Sequence, residues 1–197
     1  MIEESIQIEE FTYRMLKGKG KGTPVIFLHG YLFTSDVWRE IGALDFLEER
    51  NIPFIAVDMP YGAKSICEPK SGDTEDNLKI VEEVAGDEPL IVGASLGGYI
   101  ALKYSVKNPV KGLFLIAPVR SLENELIKNY PKLNMKTYII YGEKDKIVSL
   151  DEMKKLSDLI KAKLIVYENS DHPAYLNQPS RFKNDLIEFY QLTENKF

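Results

Sequence analysis

The sequence has few of the side chains that hold metal ions or build disulfides. Its 197 residues include one cysteine, Cys67, and two histidines, His29 and His172. One cysteine cannot form a disulfide within the chain or supply a cysteine-based metal site. The two histidines lie far apart in the chain and lack the spacing of a metal-binding pair. We therefore expect no metal ion and no organic cofactor.

The sequence also lacks an excess of basic residues and any long apolar run. Lys and Arg number 25 against 30 Asp and Glu, which gives a net charge of -5. This balance argues against a nucleic-acid partner. No apolar run approaches the roughly 20 residues that cross a bilayer, and the acidic start Met1-Ile2-Glu3-Glu4 does not resemble a secretory signal. We expect a cytoplasmic protein without a membrane partner, either a monomer or a homodimer.

Apolar strands alternate with helix-like segments from Pro24 to the end of the chain. The predicted strands cover 5–9, 11–16, 24–28, 53–58, 90–92, 111–117, 137–141 and 164–167. The predicted helices cover 35–50, 96–107, 150–161 and 179–192, and another begins at Asp73 or Thr74. Strands that are apolar on both faces are typical of a parallel sheet covered by helices on both sides. The sequence predicts one α/β domain over 1–197, with a mostly parallel sheet of about seven to eight strands.

One strand runs directly into a cluster of small residues, Gly93-Ala94-Ser95-Leu96-Gly97-Gly98. A sharp turn from strand to helix holds its central residue in a strained conformation and needs small residues two positions before and after it. A serine at that position presents its hydroxyl to solvent or substrate. The pattern predicts that Ser95 is a nucleophile; the alternative is a glycine-rich turn with an incidental serine.

Other strand ends supply an acid and a base. Asp145 follows the strand that ends at 141, and His172 follows the last strand, which gives the chain order Ser, Asp, His. A serine hydroxyl needs a nearby base that titrates close to neutral pH, and His172 is placed for that role. Asp145 would fix the tautomer of His172. Glu143 and Asp171 are the rival acids, but Asp171 adjoins His172 in sequence and its side chain should point elsewhere.

The same chemistry needs donors for a negative oxygen. The backbone N–H of Leu96, at the start of a helix, is one candidate, and the helix dipole would reinforce it. The backbone N–H of Tyr31 is the other. We expect His29 to brace this loop and Gly30 to allow close approach of the substrate.

These motifs together resemble the α/β-hydrolase superfamily over nearly the whole chain. A closer likeness is to the small hydrolases of the abhydrolase-domain-fourteen type. Tyr61 stands where such families usually have glycine, and Asp171 stands where glycine usually precedes the base. The segments that carry the resemblance are His29-Gly30-Tyr31, Ser35-x-x-Trp38, Asp58-Met59-Pro60-Tyr61-Gly62-Ala63-Lys64-Ser65, Gly93-Ala94-Ser95-Leu96-Gly97-Gly98, Ala117-Pro118, Gly142-Glu143-Lys144-Asp145 and His172-Pro173-x-Tyr175-Leu176.

The resemblance implies an esterase acting on small activated acyl esters, and an acyl-transfer activity has been suggested for some members. Most α/β-hydrolases insert a helical lid after the strand that here ends at Ala117. Only 118–136 separates that strand from the next, too short for a lid domain, so we expect an open, shallow site. Its expected substrate-binding residues are Leu32, Tyr61, Val119 and Tyr175, and Tyr31, Phe33 and Tyr99 are further candidates for the pocket wall.

The sequence therefore predicts a serine hydrolase that cleaves small carboxylic esters through Ser95, His172 and Asp145, with an acyl-enzyme intermediate. Three other enzymatic outcomes remain open on the same residues: acyl transfer, amide cleavage and peracid formation. A ligand-binding scaffold with little turnover is a further alternative, because fold alone does not fix function.

Overall fold

A nine-stranded mixed sheet lies at the centre of the computed structural model, which describes residues 1–195. The spatial order is β1-β2-β4-β3-β6-β7-β8-β9, and the short strand β5 pairs with β2. Strands β1 and β5 run antiparallel to β2, and β2 runs antiparallel to β4; from β4 to β9 all pairs are parallel. The strands are β1 (Ile2–Ile8), β2 (Phe11–Gly18), β3 (Val25–Leu28), β4 (Phe54–Val57), β5 (Cys67–Glu68), β6 (Leu90–Ala94), β7 (Gly112–Ile116), β8 (Lys136–Gly142) and β9 (Lys163–Tyr167).

Helices cover both faces of this sheet and bury a separate apolar core on each. One core includes side chains of α3, α4, α5 and α6, and the other includes Trp38 and side chains of α2, α7 and α8. The helices are α1 (Asp36–Glu40), α2 (Ala43–Glu48), α3 (Thr74–Ala85), α4 (Leu96–Ser105), α5 (Asn124–Asn129), α6 (Leu150–Ile160), α7 (Ala174–Asn177) and α8 (Pro179–Glu194). The predicted α/β-hydrolase architecture is confirmed.

Two predicted segments differ from the structure. The single helix predicted over 35–50 is wrong, because Gly42 has a φ of 76° and separates α1 from α2. A left-handed residue breaks the helical hydrogen-bond ladder, and glycine adopts that conformation at little cost. Residues 66–72, where the sequence analysis predicts neither a strand nor a helix, contain β5, which adds one short strand to the sheet.

The parallel strands end at one edge of the sheet, where loops carry the candidate functional residues. The connection from β7 to β8 covers 117–135 and contains only α5 and a single 3-10 turn at Tyr130–Lys132. The predicted absence of a lid domain is therefore confirmed. Across residues 1–195 no helix has both the length and the apolar composition needed to cross a membrane.

Candidate active site

Ser95 lies at the apex of the turn between β6 and α4, with φ 53° and ψ -112°. A side chain at either flanking glycine would not fit. A Cβ atom on Gly93 would lie 2.7 Å from the carbonyl oxygen of Gly97, and one on Gly97 would overlap the carbonyl oxygen of Leu28. The small residues around Ser95 thus allow a strained turn that an ordinary sequence could not form.

A continuous hydrogen-bond chain links three side chains from three different strand ends. His172 Nε2 lies 2.8 Å from Ser95 Oγ, and His172 Nδ1 lies 2.7 Å from Asp145 Oδ2. The loop after β8 supplies Asp145, and the loop after β9 supplies His172. Because Nδ1–H donates a hydrogen bond to Asp145, Nε2 carries no proton and can accept a hydrogen bond from the Ser95 hydroxyl.

The Asp145 carboxyl is fully buried and well supplied with donors. Burial acts to raise its pKa, but the hydrogen bond from His172 and those from the N–H groups of Val148 and Ile147 outweigh it. These backbone bonds to Oδ1 measure 2.9 Å and 2.8 Å. The net result is a pKa below the ordinary 3.8, so Asp145 stays charged beside His172.

The two rival acids lie elsewhere. Asp171 is exposed, and its backbone N–H donates to Asn177 Oδ1 at 2.9 Å. Glu143 Oε2 accepts from the backbone N–H of Asn169 at 2.8 Å. Within residues 1–195, Asp145 is the carboxylate that contacts His172.

The Gly30–Tyr31 peptide is held from its carbonyl side. The Gly30 oxygen accepts from His29 Nδ1 at 2.7 Å and from the N–H of Phe33 at 3.1 Å. In a trans peptide the N–H points opposite to the C=O, so these two bonds also fix the direction of the Tyr31 N–H. Leu96 is the first residue of α4, where a backbone N–H has no acceptor within the helix.

His29 is fully buried and acts as a brace for this loop. Its Nε2 accepts from the backbone N–H of Met59 at 3.0 Å, which leaves the proton on Nδ1 for Gly30. Burial lowers the pKa of His29 below the ordinary 6.5 and favours the neutral ring. A neutral ring with its proton on Nδ1 can thus donate to the Gly30 carbonyl oxygen and accept from the Met59 N–H.

A buried ion pair between Arg14 and Asp58 supports the loop that follows β3. Asp58, which follows β4, accepts from the backbone N–H of Ser35 at 2.9 Å, from the Ser35 hydroxyl, and from the N–H of Ile66 at 2.8 Å. Arg14 Nη2 in β2 lies 3.3 Å from Asp58 and 2.7 Å from Asp36 Oδ2. Arg14 was not predicted to support the site; the available signal was one basic residue within the otherwise apolar segment Tyr13–Leu16.

An apolar cavity of about 250 Å³ opens beside Ser95. Of the four predicted substrate-binding residues, Leu32 and Tyr175 line it, as do Tyr31 and Phe33. Four further lining residues were not predicted, because neither residue type nor spacing indicates which side chains face a cavity: Ala94, Ile116, Ile147 and Pro173.

Three expected pocket residues lie outside this cavity. Tyr61 is buried and donates its hydroxyl to the carbonyl oxygen of His29, so it packs beneath the loop. Val119 donates its backbone N–H to the Ser95 carbonyl oxygen at 3.2 Å without lining the cavity. Tyr99 is also buried, and its hydroxyl donates to Glu123 at 2.9 Å. The residues described show no cluster of three or more His, Cys, Asp or Glu side chains able to hold a metal ion.

The model of the alpha/beta hydrolase family matches residues 25–135, more than half of the chain, so the chain belongs to this family. The family places the chain in the hydrolase class of enzymes.

Among curated relatives, the chain is similar to Protein ABHD14A of Mus musculus, with 28% identity over 171 residues that cover 84% of this chain and 69% of that protein. It is 23% identical to the putative protein-lysine deacylase ABHD14B of Homo sapiens over 203 residues, which cover 96% of this chain and 95% of that protein. The predicted likeness to the abhydrolase-domain-fourteen type is confirmed. A predicted CIB-like hydrolase from Thermoplasma acidophilum shares the fold, with a TM-score of 0.86, 24% identity and coverage of 96% of this chain and 97% of that one.

Proposed function

We propose that this protein is a serine hydrolase that cleaves small carboxylic esters, with Ser95 as nucleophile, His172 as general base and Asp145 as the acid that orients it. One observation carries the proposal. Ser95 Oγ, at the apex of a strained turn, lies 2.8 Å from His172 Nε2, and His172 Nδ1 lies 2.7 Å from a buried, charged Asp145. A serine without a catalytic role would need neither the strained turn nor the hydrogen bond to a histidine that is itself held by a buried carboxylate.

In the proposed acylation step, Ser95 Oγ forms a bond to the acyl carbon and His172 Nε2 takes the hydroxyl proton. The carbonyl oxygen becomes negative and is stabilised by the N–H groups of Tyr31 and Leu96. The bond from the acyl carbon to the leaving oxygen then breaks. The leaving alcohol departs with the proton from His172.

In deacylation the same groups act on water. His172 removes a proton from the water molecule, whose oxygen attacks the acyl carbon of the Ser95 ester. Collapse of the second negative intermediate breaks the bond to Ser95 Oγ, and His172 returns the proton to it. The products are a carboxylic acid and the free enzyme, with atoms and protons balanced.

The cavity supports a small, apolar substrate. Its volume of about 250 Å³ is below the roughly 300–1,000 Å³ of sites that enclose drug-sized ligands. Ser95 and His172 contribute the ionisable and hydroxyl groups of the reaction, while the remaining side chains around them are apolar or aromatic. Such a lining suits a hydrocarbon acyl group.

Amide cleavage on acylated lysine is a second candidate. The human relative is named a putative protein-lysine deacylase, and the same three residues could release an amine in place of an alcohol. The observation that favours this candidate is the short connection after β7, which leaves the site without a lid and thus accessible to a side chain on another protein.

A fluorophosphonate probe tests the shared chemistry. We expect stoichiometric labelling of the wild-type protein at Ser95 and none of the Ser95→Ala variant. A panel of acyl esters and acyl-lysine peptides then separates the two substrate classes by kcat/KM. Equal labelling of both proteins, or labelling at another residue, would contradict the proposal. A Ser170→Ala variant is a matched control, because Ser170 is buried and hydrogen-bonds to the Glu168 carbonyl oxygen away from His172.

A further inference from the structure

Exposed apolar side chains are concentrated at the mouth of the cavity beside Ser95. In residues 1–195, four large apolar side chains are more than half exposed: Ile147 (68%), Leu32 (61%), Ile66 (57%) and Tyr31 (53%). Three of the four line this one cavity, and only Ile66 does not. Single exposed apolar residues are ordinary on protein surfaces, but a group of them around a cavity marks a binding surface.

The apolar side chains that line the cavity therefore fall into a buried group, here called the floor, and a solvent-exposed group, here called the rim. The floor consists of Phe33, Ala94, Ile116 and Tyr175, and the last three of these are at most 2% exposed. The rim consists of Tyr31, Leu32 and Ile147, which are open to solvent. A substrate that filled only the floor would leave the rim in contact with water. The rim gains apolar contacts only if a second part of the substrate covers it.

The connections of Ile147 indicate which part of the substrate that is. Its backbone N–H donates to Asp145 Oδ1, and Asp145 Oδ2 holds the ring of His172, so Ile147 belongs to the loop that carries the acid. In the proposed reaction, His172 Nε2 gives its proton to the leaving oxygen. The leaving group must therefore start beside His172, and the exposed side chain of Ile147, on the loop that is joined to His172 through Asp145, lines the same cavity.

We infer that the rim is a leaving-group subsite, in which Leu32 and Ile147 bind the hydrocarbon chain of an unbranched aliphatic alcohol while the floor takes the acyl group. This inference rests on the proposed function and names its substrate class: a small acyl group esterified to an apolar primary alcohol. Apart from Ser95 and His172, the cavity is lined by Gly30 and by apolar or aromatic side chains, so a phosphorylated leaving group finds no lysine or arginine there.

Two series of esters test the inference. The first keeps an acetyl group and lengthens the alcohol from ethyl to octyl; the second keeps an ethyl alcohol and lengthens the acyl group over the same range. Each methylene covered by the rim should raise kcat/KM by about twofold to fourfold. We expect that rise in the alcohol series, and we expect Leu32→Ser and Ile147→Ser to flatten it while the dependence of kcat/KM on acyl length stays as in the wild type.

Ile66→Ser is the matched control, since it removes an equally exposed side chain that does not line the cavity. It should change neither series. The inference is overturned if Ile147→Ser depresses both series in parallel, if it acts on the acyl series alone, or if the alcohol series is flat in the wild type.

A binding measurement separates failure of this inference from failure of the proposed function. Ser95→Ala, titrated with straight-chain alcohols from butanol to octanol, should bind each longer alcohol more tightly, and adding Ile147→Ser should remove that dependence. If this trend is found without ester turnover, the subsite stands and the proposed function falls. If turnover is found without the trend in either assay, the proposed function stands and the subsite falls.

Discussion

At the scale of single residues, the Asp145 carboxylate decides which nitrogen of His172 carries the proton. Asp145→Asn keeps an oxygen for the N–H groups of Ile147 and Val148 but presents an amide to His172. The ring then favours the other tautomer, with a proton on Nε2 facing Ser95. We expect kcat to fall by about 10³–10⁴-fold, measured on the best ester of the panel. Asp171→Asn, at the exposed neighbour of His172, should keep nearly full activity; a similar loss there would contradict the assignment.

The residues differ in how far sequence alone could predict them. Ser95, Asp145 and His172 follow strand ends, and each proposed role is restricted to a few residue types, so chain order was sufficient to name them as candidates, and the structure brings the three side chains into one hydrogen-bond chain. Tyr61 and Val119 were selected only because they adjoin the same edge. Whether a loop side chain points into the cavity depends on the backbone path, and Tyr61 instead reaches the carbonyl oxygen of His29.

At the scale of secondary-structure elements, Arg14 connects β2 to the loop that carries Tyr31. Its side chain is 8% exposed, and it faces a fully buried Asp58 and a partly exposed Asp36. Arg14→Met would leave Asp58 buried without its cation and should lower the free energy of unfolding by about 3–5 kcal/mol. Urea unfolding followed by circular dichroism measures this. We expect Arg14→Lys to recover part of the loss, because one ammonium cannot reproduce the contacts of a guanidinium.

Arg39→Met is the matched control for that experiment. Arg39 also pairs with Asp36, but its side chain is 41% exposed. Exposed ion pairs contribute about 0–1 kcal/mol. Equal destabilisation by the two variants would show that burial of Asp58 is not the cause.

The two errors in the predicted elements have local causes. Trp38, Ile41, Leu44 and Leu47 keep a helical spacing across the break, so periodicity continues where the helix does not. Only Gly42 indicated the interruption, and a glycine inside a helical pattern is often tolerated. Strand β5 has two residues, Cys67 and Glu68, which is too short for any alternation to show.

At the scale of the whole molecule, a mostly parallel sheet with helices on both faces follows from apolar strands that alternate with helices, and this much was predictable. Buried titratable groups could not be counted from the sequence, because the burial of each depends on tertiary packing. In the described structure, burial raises the pKa of ten tyrosines, among them Tyr190 to about 12. The pKa of His29 is lowered.

These shifts predict a stability plateau with two limits. A tyrosine whose pKa is raised in the folded state ionises first in the unfolded chain, so stability is present below pH 10, the ordinary tyrosine value, and falls above it. His29 has a lowered pKa, so the unfolded chain takes up its proton first as pH falls below 6.5. Stability contributed by neutral His29 is thus present above that pH and lost below it.

Melting temperature measured across this pH range tests the acid limit. In the wild type we expect it to be level between about 6.5 and 9 and to fall on either side, because burial raises the pKa of the Cys67 thiol from 9.0 to about 11 and the unfolded chain therefore ionises it before the tyrosines. His29→Gln should melt lower throughout, yet its melting temperature should stay level further below pH 6.5. Its acid loss should begin only below about pH 4.5, where the unfolded chain takes up protons first at Glu194 and then, below 3.8, at Asp36 and Asp145, because hydrogen bonds outweigh burial and lower the pKa of all three in the folded protein. If both proteins lose stability in parallel just below pH 6.5, another group sets the acid limit. An unchanged alkaline limit in the variant would show that its buried tyrosines still pack as in the wild type.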